Sequence, residues 1–374
     1  MRVDKSKWQK IFLGEVCNLY QPKTIATSCL DSNGKYLVYG ANGVIGKYNE
    51  YNHKFPEVLI TCRGATCGTI NISKPFSWIS GNAMVVHPKE ENLLDFAFLG
   101  KAVSAIDYSK VITGAAQPQI TRANLQKVQI VIPTLVEQQT IASELDAVQE
   151  MIDGYKAQIA DLDALAQSIF LDMFGNVSMN DKSWNIIPMG KLGDFKNGLN
   201  YNKGEQGKSI KIIGVGDFQN IKSLSSFNDI SSIEVEHISE EYLLHNEDIV
   251  FVRSNGNKNL VGRCLEVYPN DAEVTFSGFC IRFRKSVEIS NKYLIALLTD
   301  SGFKKTHLLK SNGIGIQNIN QKLLSSLPIP VPSADLQQLF ALKVETIEQQ
   351  KEQLRLQLQD AETLMAERMQ YYFS

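Results

Sequence analysis

The feature that most constrains the fold of this 374-residue chain is an internal repeat whose two copies are 199 residues apart. Its clearest members are I-P-T-L-V-E-Q-Q at 132–139 and V-P-S-A-D-L-Q-Q at 331–338. The same offset relates Leu125 to Leu324 upstream of these segments. Because similar sequences fold in similar ways, the repeat predicts two equivalent lobes, each leading into the same kind of element.

Weaker similarity extends further upstream in both halves. PEVLITCRG at 56–64 matches EDIVFVRSN at 247–255, and Ser80-Gly81 matches Ser277-Gly278. Short β-branched and aromatic runs lie between these matches, separated by Gly, Asn and Pro, and helix-like stretches occur near 92–103 and 291–301. This mixture predicts α+β lobes.

A heptad pattern follows each repeated proline segment. Apolar residues recur at spacings of four and three from Ile141 to Met173, and the pattern shifted by 199 residues runs from Phe340 to Tyr372. Two long helices with matching apolar seams are predicted to pack on each other. We therefore expect two similar mixed α/β lobes joined by two long helices that form an antiparallel coiled coil, with an internal pseudo-twofold repeat.

Two cations interrupt the second seam, and they indicate the direction of pairing. If the helices are antiparallel about their seam midpoints, Lys351 faces position 162 and Arg368 faces position 145. Carboxylates flank both positions: Asp161 and Asp163 in the first case, Glu144 and Asp146 in the second. Parallel pairing would bring only Asp153 near Lys351. The sequence thus predicts antiparallel helices with partly exposed ion pairs.

Charge divides the chain into four segments. Residues 1–134 carry 15 Lys+Arg and 9 Asp+Glu, so this segment is basic. Residues 135–175 carry 1 Lys+Arg and 8 Asp+Glu, so this segment is acidic. Residues 176–333 carry 18 Lys+Arg and 16 Asp+Glu, and residues 334–374 carry 4 Lys+Arg and 7 Asp+Glu. These ranges are the predicted first lobe, first long helix, second lobe and second long helix. Basic lobes suit phosphate contact, whereas acidic helices are expected to face protein partners.

Familiar catalytic and metal-binding patterns are missing from the sequence. Tyr48 follows Gly46-Lys47 where a phosphate-binding loop requires Ser or Thr, and no Asn/Asp-Pro-Pro-aromatic tetrapeptide is present. The five histidines are isolated and the six cysteines form no C-x-x-C pair, so no metal is expected. No signal peptide or membrane-length apolar run is recognisable, and we expect a cytoplasmic, non-catalytic protein.

The remaining candidate chemistry is DNA contact by polar loops. Asn and Gln can form paired hydrogen bonds with adenine, Arg and Lys with guanine, and both cations can bind phosphate. The same residue types also make ordinary turns and solvated surfaces, so only their clustering points to DNA. The candidates are Lys35, Asn42, Lys47, Arg63, Thr66, Gln117, Gln119 and Arg122 in the first lobe, and Lys211, Gln219, Arg253, Asn255, Asn257, Lys258, Arg263, Asn312, Gln317 and Asn318 in the second.

Taken together, the repeated lobe, proline-bounded strand and Gln-Gln helix start resemble the specificity subunit of type I restriction-modification systems. The resemblance covers essentially the whole chain, and its specific elements are the segments at 132–139 and 331–338 and the CRGATCG stretch at 62–68. The second lobe has Arg253-Ser254-Asn255-Gly256 where an R-G-A-T-C-G match would be expected. We therefore expect the two lobes to read different half-sites.

The resemblance implies a role in a larger complex. Each lobe would bind half of a bipartite duplex target, and methylating and nuclease/translocase subunits would supply the chemistry. S-adenosylmethionine, ATP and Mg would then belong to those partners, with no cofactor bound by this chain. Glu144, Glu150 and Asp153 on the first helix are the candidate partner-binding residues.

Two other classes of protein compete with this interpretation. One is a non-enzymatic coiled-coil scaffold whose lobes bind protein rather than DNA, which composition alone does not exclude. The other is an enzyme with its own nuclease or methylating site. Enrichment of a bipartite sequence from random duplex would separate the DNA reader from the scaffold, and cutting or methylation by the purified chain would indicate the enzyme.

Overall fold

The computed structural model describes residues 4–90, 92–114, 117–201, 206–218, 221–254, 260–308 and 318–374. The chain forms two compact units. The first comprises Met1–Ala157 with Arg355–Ser374, and the second comprises Gln158–Leu354. Each unit therefore contains one lobe together with parts of both long helices.

The first lobe contains three small sheets. Its strands are β1 (Gln9–Phe12), β2 (Cys17–Tyr20), β3 (Tyr36–Gly40), β4 (Gly43–Tyr48), β5 (Val58–Thr61), β6 (Ile70–Ile72), β7 (Trp78–Ile79), β8 (Ala83–Pro88) and β9 (Gln129–Ile132). Its helices are α1 (Leu13–Val16), α2 (Phe96–Ser104) and α3 (Arg122–Leu125), and the long α4 (Leu135–Phe174) follows. The strand orders are β2-β8-β5-β6, β4-β3-β7 and β1-β9.

The core of the first lobe explains why its central strands are so apolar. All four residues of β5 are buried, and so are Ala83, Met84, Val85 and Val86 of β8. Continuous apolar strands of this kind are covered on both faces. Helix α2 packs its buried Phe98 and Leu99 into the same core, and the Asp95 carboxylate caps it by accepting from the Phe98 amide at 2.9 Å.

The second lobe repeats this plan with one larger sheet. Its strands are β10 (Asn185–Pro188), β11 (Gly193–Asn197), β12 (Lys208–Ile213), β13 (Ser223–Leu224), β14 (Ser232–Val235), β15 (Asp248–Val252), β16 (Cys264–Val267), β17 (Val274–Phe276), β18 (Cys280–Lys285) and β19 (Pro328–Val331). Its helices are α5 (Asn291–Thr299), α6 (Ser301–Phe303) and α7 (Gln321–Ser325), and the long α8 (Ala334–Phe373) follows. The strand orders are β11-β18-β15-β16-β13, β14-β12-β17 and β10-β19.

The internal repeat holds at the level of strand pairing. In each lobe the first strand pairs antiparallel with the last, β1 with β9 and β10 with β19, and so closes the lobe on itself. Each lobe also buries one carboxylate against a basic partner on the neighbouring strand. Glu57 contacts His87 at 2.9 Å, and Asp248 contacts Arg284 at 2.7 Å. Burial raises the pKa of Glu57, an effect that the His87 hydrogen bond opposes.

The first glutamine of each Gln-Gln pair is a buried structural residue. Gln138 is 0% exposed, donates to the carbonyls of Leu93 and Pro133 at 3.0 Å each, and accepts from the Asp95 amide at 2.8 Å. Its repeat equivalent, Gln337, donates to Pro332 O at 2.9 Å and accepts from Ser290 N at 2.9 Å. This side chain therefore ties the start of each long helix to its lobe.

Within the first unit, α4 and α8 run antiparallel. Glu144 contacts Arg368 at 3.1 Å, and Lys156, twelve residues later in α4, contacts Glu362 at 2.9 Å, earlier in α8. Apolar Val148 and Ile152 pack with Ala361 in the same stretch. The predicted pairing of Arg368 with Glu144 is confirmed.

Within the second unit the same two helices are again antiparallel. Lys351 Nζ lies 2.8 Å from Asp163 and 2.9 Å from Glu348, while the Phe170 and Phe340 rings are 5.6 Å apart. The predicted Lys351–Asp163 pair is confirmed; Lys351 is buried, at 3% exposed, whereas the Asp163 side chain is 50% exposed. The predicted fold class, α+β lobes with an antiparallel helix pair, is confirmed.

No helix within the described ranges is both long enough and apolar enough to cross a membrane.

Candidate nucleic-acid interface

Three loops meet at one edge of the first lobe, beside Cys62. Arg63 and Gln119 form an antiparallel bridge there, supported by a 3.0 Å hydrogen bond from Ile120 N to Cys62 O. A second bond of 3.1 Å joins Gly64 N to Pro118 O. Both bridge residues are exposed. The structure therefore places an arginine and a glutamine, two residue types that can hydrogen-bond to base edges, next to each other on the surface.

The β3–β4 hairpin brings Asn42 to the same edge. Its tip is fixed because the Thr61 hydroxyl, at the end of β5, donates to the Ala41 carbonyl. Gly43 ends the turn at φ +87°, a conformation that strongly favours glycine. Asn42 is exposed at this tip, so its amide is accessible, and the adjoining Ala41 is held by Thr61, two residues before Arg63.

A tight turn completes this edge, and it contains residues that the sequence analysis did not select. Ala83 N donates to Ser80 O at 3.0 Å, which leaves the exposed Asn82 at the turn tip. Gln21 Nε2 donates to Gly81 O at 3.0 Å and to Cys62 Sγ at 3.3 Å. The repeated Ser-Gly dipeptide marks this turn in the sequence, but nothing local links Gln21 to it.

The second lobe has the equivalent edge. Ser254 and Asn318 form an antiparallel bridge, and Ile319 N donates to Arg253 O at 2.8 Å. Ser254 and Arg253 occupy the positions of Arg63 and Cys62, as the match between 56–64 and 247–255 requires. Asn318 and Ile319 occupy the positions of Gln119 and Ile120, which the 199-residue repeat relates to them. Arg253 is thus equivalent to Cys62 rather than to Arg63.

Arg253 also has a different local role from Arg63. Its Nη1 atom lies 3.4 Å from the Gly278 carbonyl, on the turn from Ser277 to Cys280. In the first lobe the equivalent carbonyl, that of Gly81, accepts from Gln21. The two lobes thus support the same turn with different side chains, and they present different polar groups beside it.

The other first-lobe candidates are also on the surface, in two places. Lys35 and Lys47 are exposed near the end of the β3–β4 hairpin opposite Asn42, and Lys35 Nζ lies 5.2 Å from the Tyr36 ring centroid. Thr66 lies in the turn after Arg63, Gln117 precedes the bridge, and Arg122 begins α3. These last three surround the bridge in sequence, whereas the lysines suit more peripheral phosphate contacts.

Two second-lobe candidates already have acceptors within the lobe. Lys211 Nζ donates to the carbonyls of Asn228 at 3.1 Å and Ile230 at 2.8 Å, and Arg263 Nη1 donates to Phe218 O at 3.3 Å. The candidates Gln219, Asn255, Asn257, Lys258, Asn312 and Gln317 lie outside the described residues.

The candidate partner-binding residues differ in their surroundings. Glu144 accepts from the Tyr372 hydroxyl at 2.6 Å in addition to its contact with Arg368, so it serves the helix pair. Glu150 and Asp153 are exposed on α4, although Asp153 accepts from Gln149 Nε2 at 3.0 Å. These two carboxylates are accessible to another chain, whereas Glu144 is largely occupied.

The cysteines at the first edge are suited to packing rather than chemistry. Burial raises the pKa of the Cys62 thiol and also that of Cys67. A raised pKa keeps a thiol protonated at neutral pH, and it is the thiolate that acts as a nucleophile. The site therefore offers hydrogen-bond donors and acceptors for recognition.

Comparison with known proteins identifies the class to which this arrangement belongs. A family model described as the type I restriction modification DNA specificity domain matches residues 5–163 and again residues 181–360. The chain is 27% identical over 337 residues to the StySPI type I restriction enzyme specificity subunit of Salmonella potsdam. That alignment covers 83% of this chain and 68% of the relative.

Solved structures share the fold across the entire chain. The type I restriction-modification S subunit from M. genitalium superposes with a TM-score of 0.61 at 16% identity, covering 100% of this chain and 98% of that one. A second match comes from a structural study of complex assembly and conformational transition of the type I R-M system. It has a TM-score of 0.57 at 14% identity and covers 100% of this chain and 98% of that one.

These findings define a duplicated DNA-specificity protein. The chain belongs to the family of type I restriction-modification specificity subunits, as the sequence resemblance predicted.

Proposed function

We propose that each lobe of this chain reads one half of a bipartite duplex sequence, and that the chain directs methylating and cleaving subunits to that sequence without catalysing a reaction itself. The observation that carries this proposal is the equivalence of two bridges, the exposed Arg63–Gln119 pair and the Ser254–Asn318 pair, in which Asn318 is exposed and Ser254 half-buried. Equivalent loops with different side chains suit two readers of different half-sites.

The physical division of labour follows from the residue types. Exposed lysines such as Lys35 and Lys47 supply phosphate contacts, which provide affinity and make it depend on salt concentration. The bridge residues supply base contacts, each worth ~1–3 kcal/mol of discrimination. Target selection then depends on a few side chains, while overall affinity depends on lobe charge.

The chemistry of the complex is assigned to its other subunits. S-adenosylmethionine would be bound by the methylating subunits, and ATP and Mg by the nuclease/translocase subunit, with none of them bound by this chain. Because the proposed target is duplex DNA, the chain is expected to work in the cytoplasm.

Binding-site selection from random duplex, followed by gel shift of the winning sequence, tests this function. We expect an enriched sequence in two parts separated by an unselected gap, bound more weakly as salt rises. Failure to enrich any bipartite sequence would favour the protein-binding scaffold instead. Cleavage or methylation of DNA by the purified chain alone would contradict the non-catalytic role.

A further inference from the structure

The tip of the turn from Ser277 to Cys280 carries an exposed aromatic side chain. Phe279 is 62% exposed, and the turn is closed by a 2.8 Å hydrogen bond from Cys280 N to Ser277 O between β17 and β18. Such exposure leaves much of a large apolar surface in water, and burial of that surface in a complex would be favourable.

The equivalent first-lobe turn shows that the fold does not require this phenylalanine. Ser80 to Ala83 forms the same closed turn, with a 3.0 Å hydrogen bond, and Asn82 occupies the tip. Both side chains are compatible with one backbone arrangement, so the turn itself does not account for a phenylalanine at the tip of the second lobe.

Phe279 is attached directly to the proposed reading edge of the second lobe. Its carbonyl accepts from Arg253 N at 2.8 Å and from Ser254 N at 3.4 Å, and Ser254 is the bridge partner of Asn318. The Arg253 guanidinium holds the preceding carbonyl, that of Gly278, at 3.4 Å. The tip is therefore tied through the backbone to residues that present hydrogen-bonding groups.

We propose that Phe279 reads the C5-methyl group of a thymine in the half-site bound by the second lobe. This inference rests on the proposed function. In the major groove each base edge presents polar groups, and the thymine methyl is the apolar feature that a phenylalanine side chain can contact. A phenyl ring has no hydrogen-bonding group for a base edge or a phosphate, whereas the adjoining Ser254 and Asn318 do.

The test uses the full-length chain and its selected duplex, with each thymine in turn replaced by deoxyuridine, which lacks only the methyl group. For the wild type, one replacement in one half-site should weaken binding about fourfold, equivalent to ~0.8 kcal/mol. Phe279→Ala should weaken binding to the thymine duplex and abolish the difference between thymine and deoxyuridine at that position. This loss of coupling is a readout that a purely structural role would not produce.

Two control variants accompany the test. Phe55→Ala removes a first-lobe phenylalanine of similar exposure, 65%, and Asn82→Ala alters the equivalent turn tip. Both should retain the deoxyuridine penalty in the second half-site. Phe279→Asn, which copies the tip of the first lobe, should lose that penalty while the chain stays folded.

Several results would overturn the inference. The first is that the half-site selected by the second lobe contains no thymine. The second is that the wild type binds every deoxyuridine duplex as tightly as the thymine duplex. A penalty that persists in Phe279→Ala would assign the methyl contact to another residue. A further result is that Phe279→Ala reduces both binding and DNA bending by the same amount on the thymine and deoxyuridine duplexes. That result would identify the ring as an intercalating wedge. Failure of the wild type to select any bipartite sequence would defeat the proposed function first.

Discussion

Gln138 shows how a single buried residue can connect the elements of this fold. It satisfies two carbonyls and one amide where α4 leaves the first lobe. Gln138→Ala leaves those groups without a partner, so we expect a loss of ~1–3 kcal/mol in the stability of the first unit. Thermal unfolding followed by circular dichroism measures the effect.

The adjacent Gln139 is a matched control for this prediction. It is exposed on the same helix turn, so Gln139→Ala should leave the unfolding temperature nearly unchanged. Equal unfolding temperatures for both variants would show that the buried hydrogen bonds do not stabilise the junction.

Arg63 and Lys47 are expected to contribute differently to DNA binding. Arg63 lies on the exposed bridge, so Arg63→Ala should relax selection at one base position and cost ~1–3 kcal/mol on the preferred sequence. Lys47→Ala should weaken binding to all duplexes and reduce its salt dependence. Competitive gel shifts across salt concentrations separate the two patterns, and identical patterns would contradict the assignment.

At the scale of elements, the buried Lys351 offers a test of the helix pair. Its side chain takes a charge into a mostly apolar seam, where desolvation offsets much of the attraction to Asp163 and Glu348. Lys351→Met keeps a side chain of similar volume without that cost. We expect a stability unchanged or raised by ~1 kcal/mol.

Replacement of the partner carboxylate, Asp163, is the comparison for Lys351→Met. Asp163→Ala removes one carboxylate and leaves Glu348 as the ion-pair partner of the buried ammonium among the described residues, so the protein should become less stable. Denaturant titration of both variants gives the comparison. Strong destabilisation by Lys351→Met would mean that the ion pair is a net source of stability rather than of alignment.

The acidic face of α4 is the expected docking surface for the methylating subunits. Glu150→Lys combined with Asp153→Lys should weaken co-purification with the methylating subunit more than it weakens DNA binding by the chain. Glu144 is left unchanged, since its replacement would disturb Arg368 and Tyr372. Glu234→Lys with Glu236→Lys is the matched control, since Glu234 is exposed on β14 and Glu236 is exposed directly after it. If the Glu150 and Asp153 variant lost DNA binding more than it lost co-purification, the docking assignment would be contradicted.

The sequence predicted the helices better than the lobes, for a physical reason. A heptad seam is a local pattern, so the spacing from Ile141 to Met173 indicated both the helix and the carboxylates facing Lys351 and Arg368. Lobe closure depends instead on pairing β1 with β9, which lie far apart in the chain. Nothing local encodes that contact, or the approach of Gln21 to Gly81.

The site was predicted in part for the same reason. Arg63 and Gln119 were both selected as candidates, but only the folded chain shows them as bridge partners. Phe279 was missed because the search was for polar side chains, although its Ser-Gly turn was recognised as part of the repeat.

At the scale of the whole molecule, the central claim is that the two lobes are independent readers. Each lobe has its own core and is closed by its own strand pair, and each carries one of the two proposed reading edges. Replacement of one lobe should therefore leave the other lobe's contacts with DNA intact. The junction at the end of β9 allows this exchange without altering α4.

The most direct measurement is binding-site selection on a chimera in which residues 1–132 are exchanged for the first lobe of a relative with a different target. We predict that one half of the selected sequence changes and that the other half stays identical to the wild-type selection. A change in both halves, or in neither, would contradict the assignment of one half-site to each lobe.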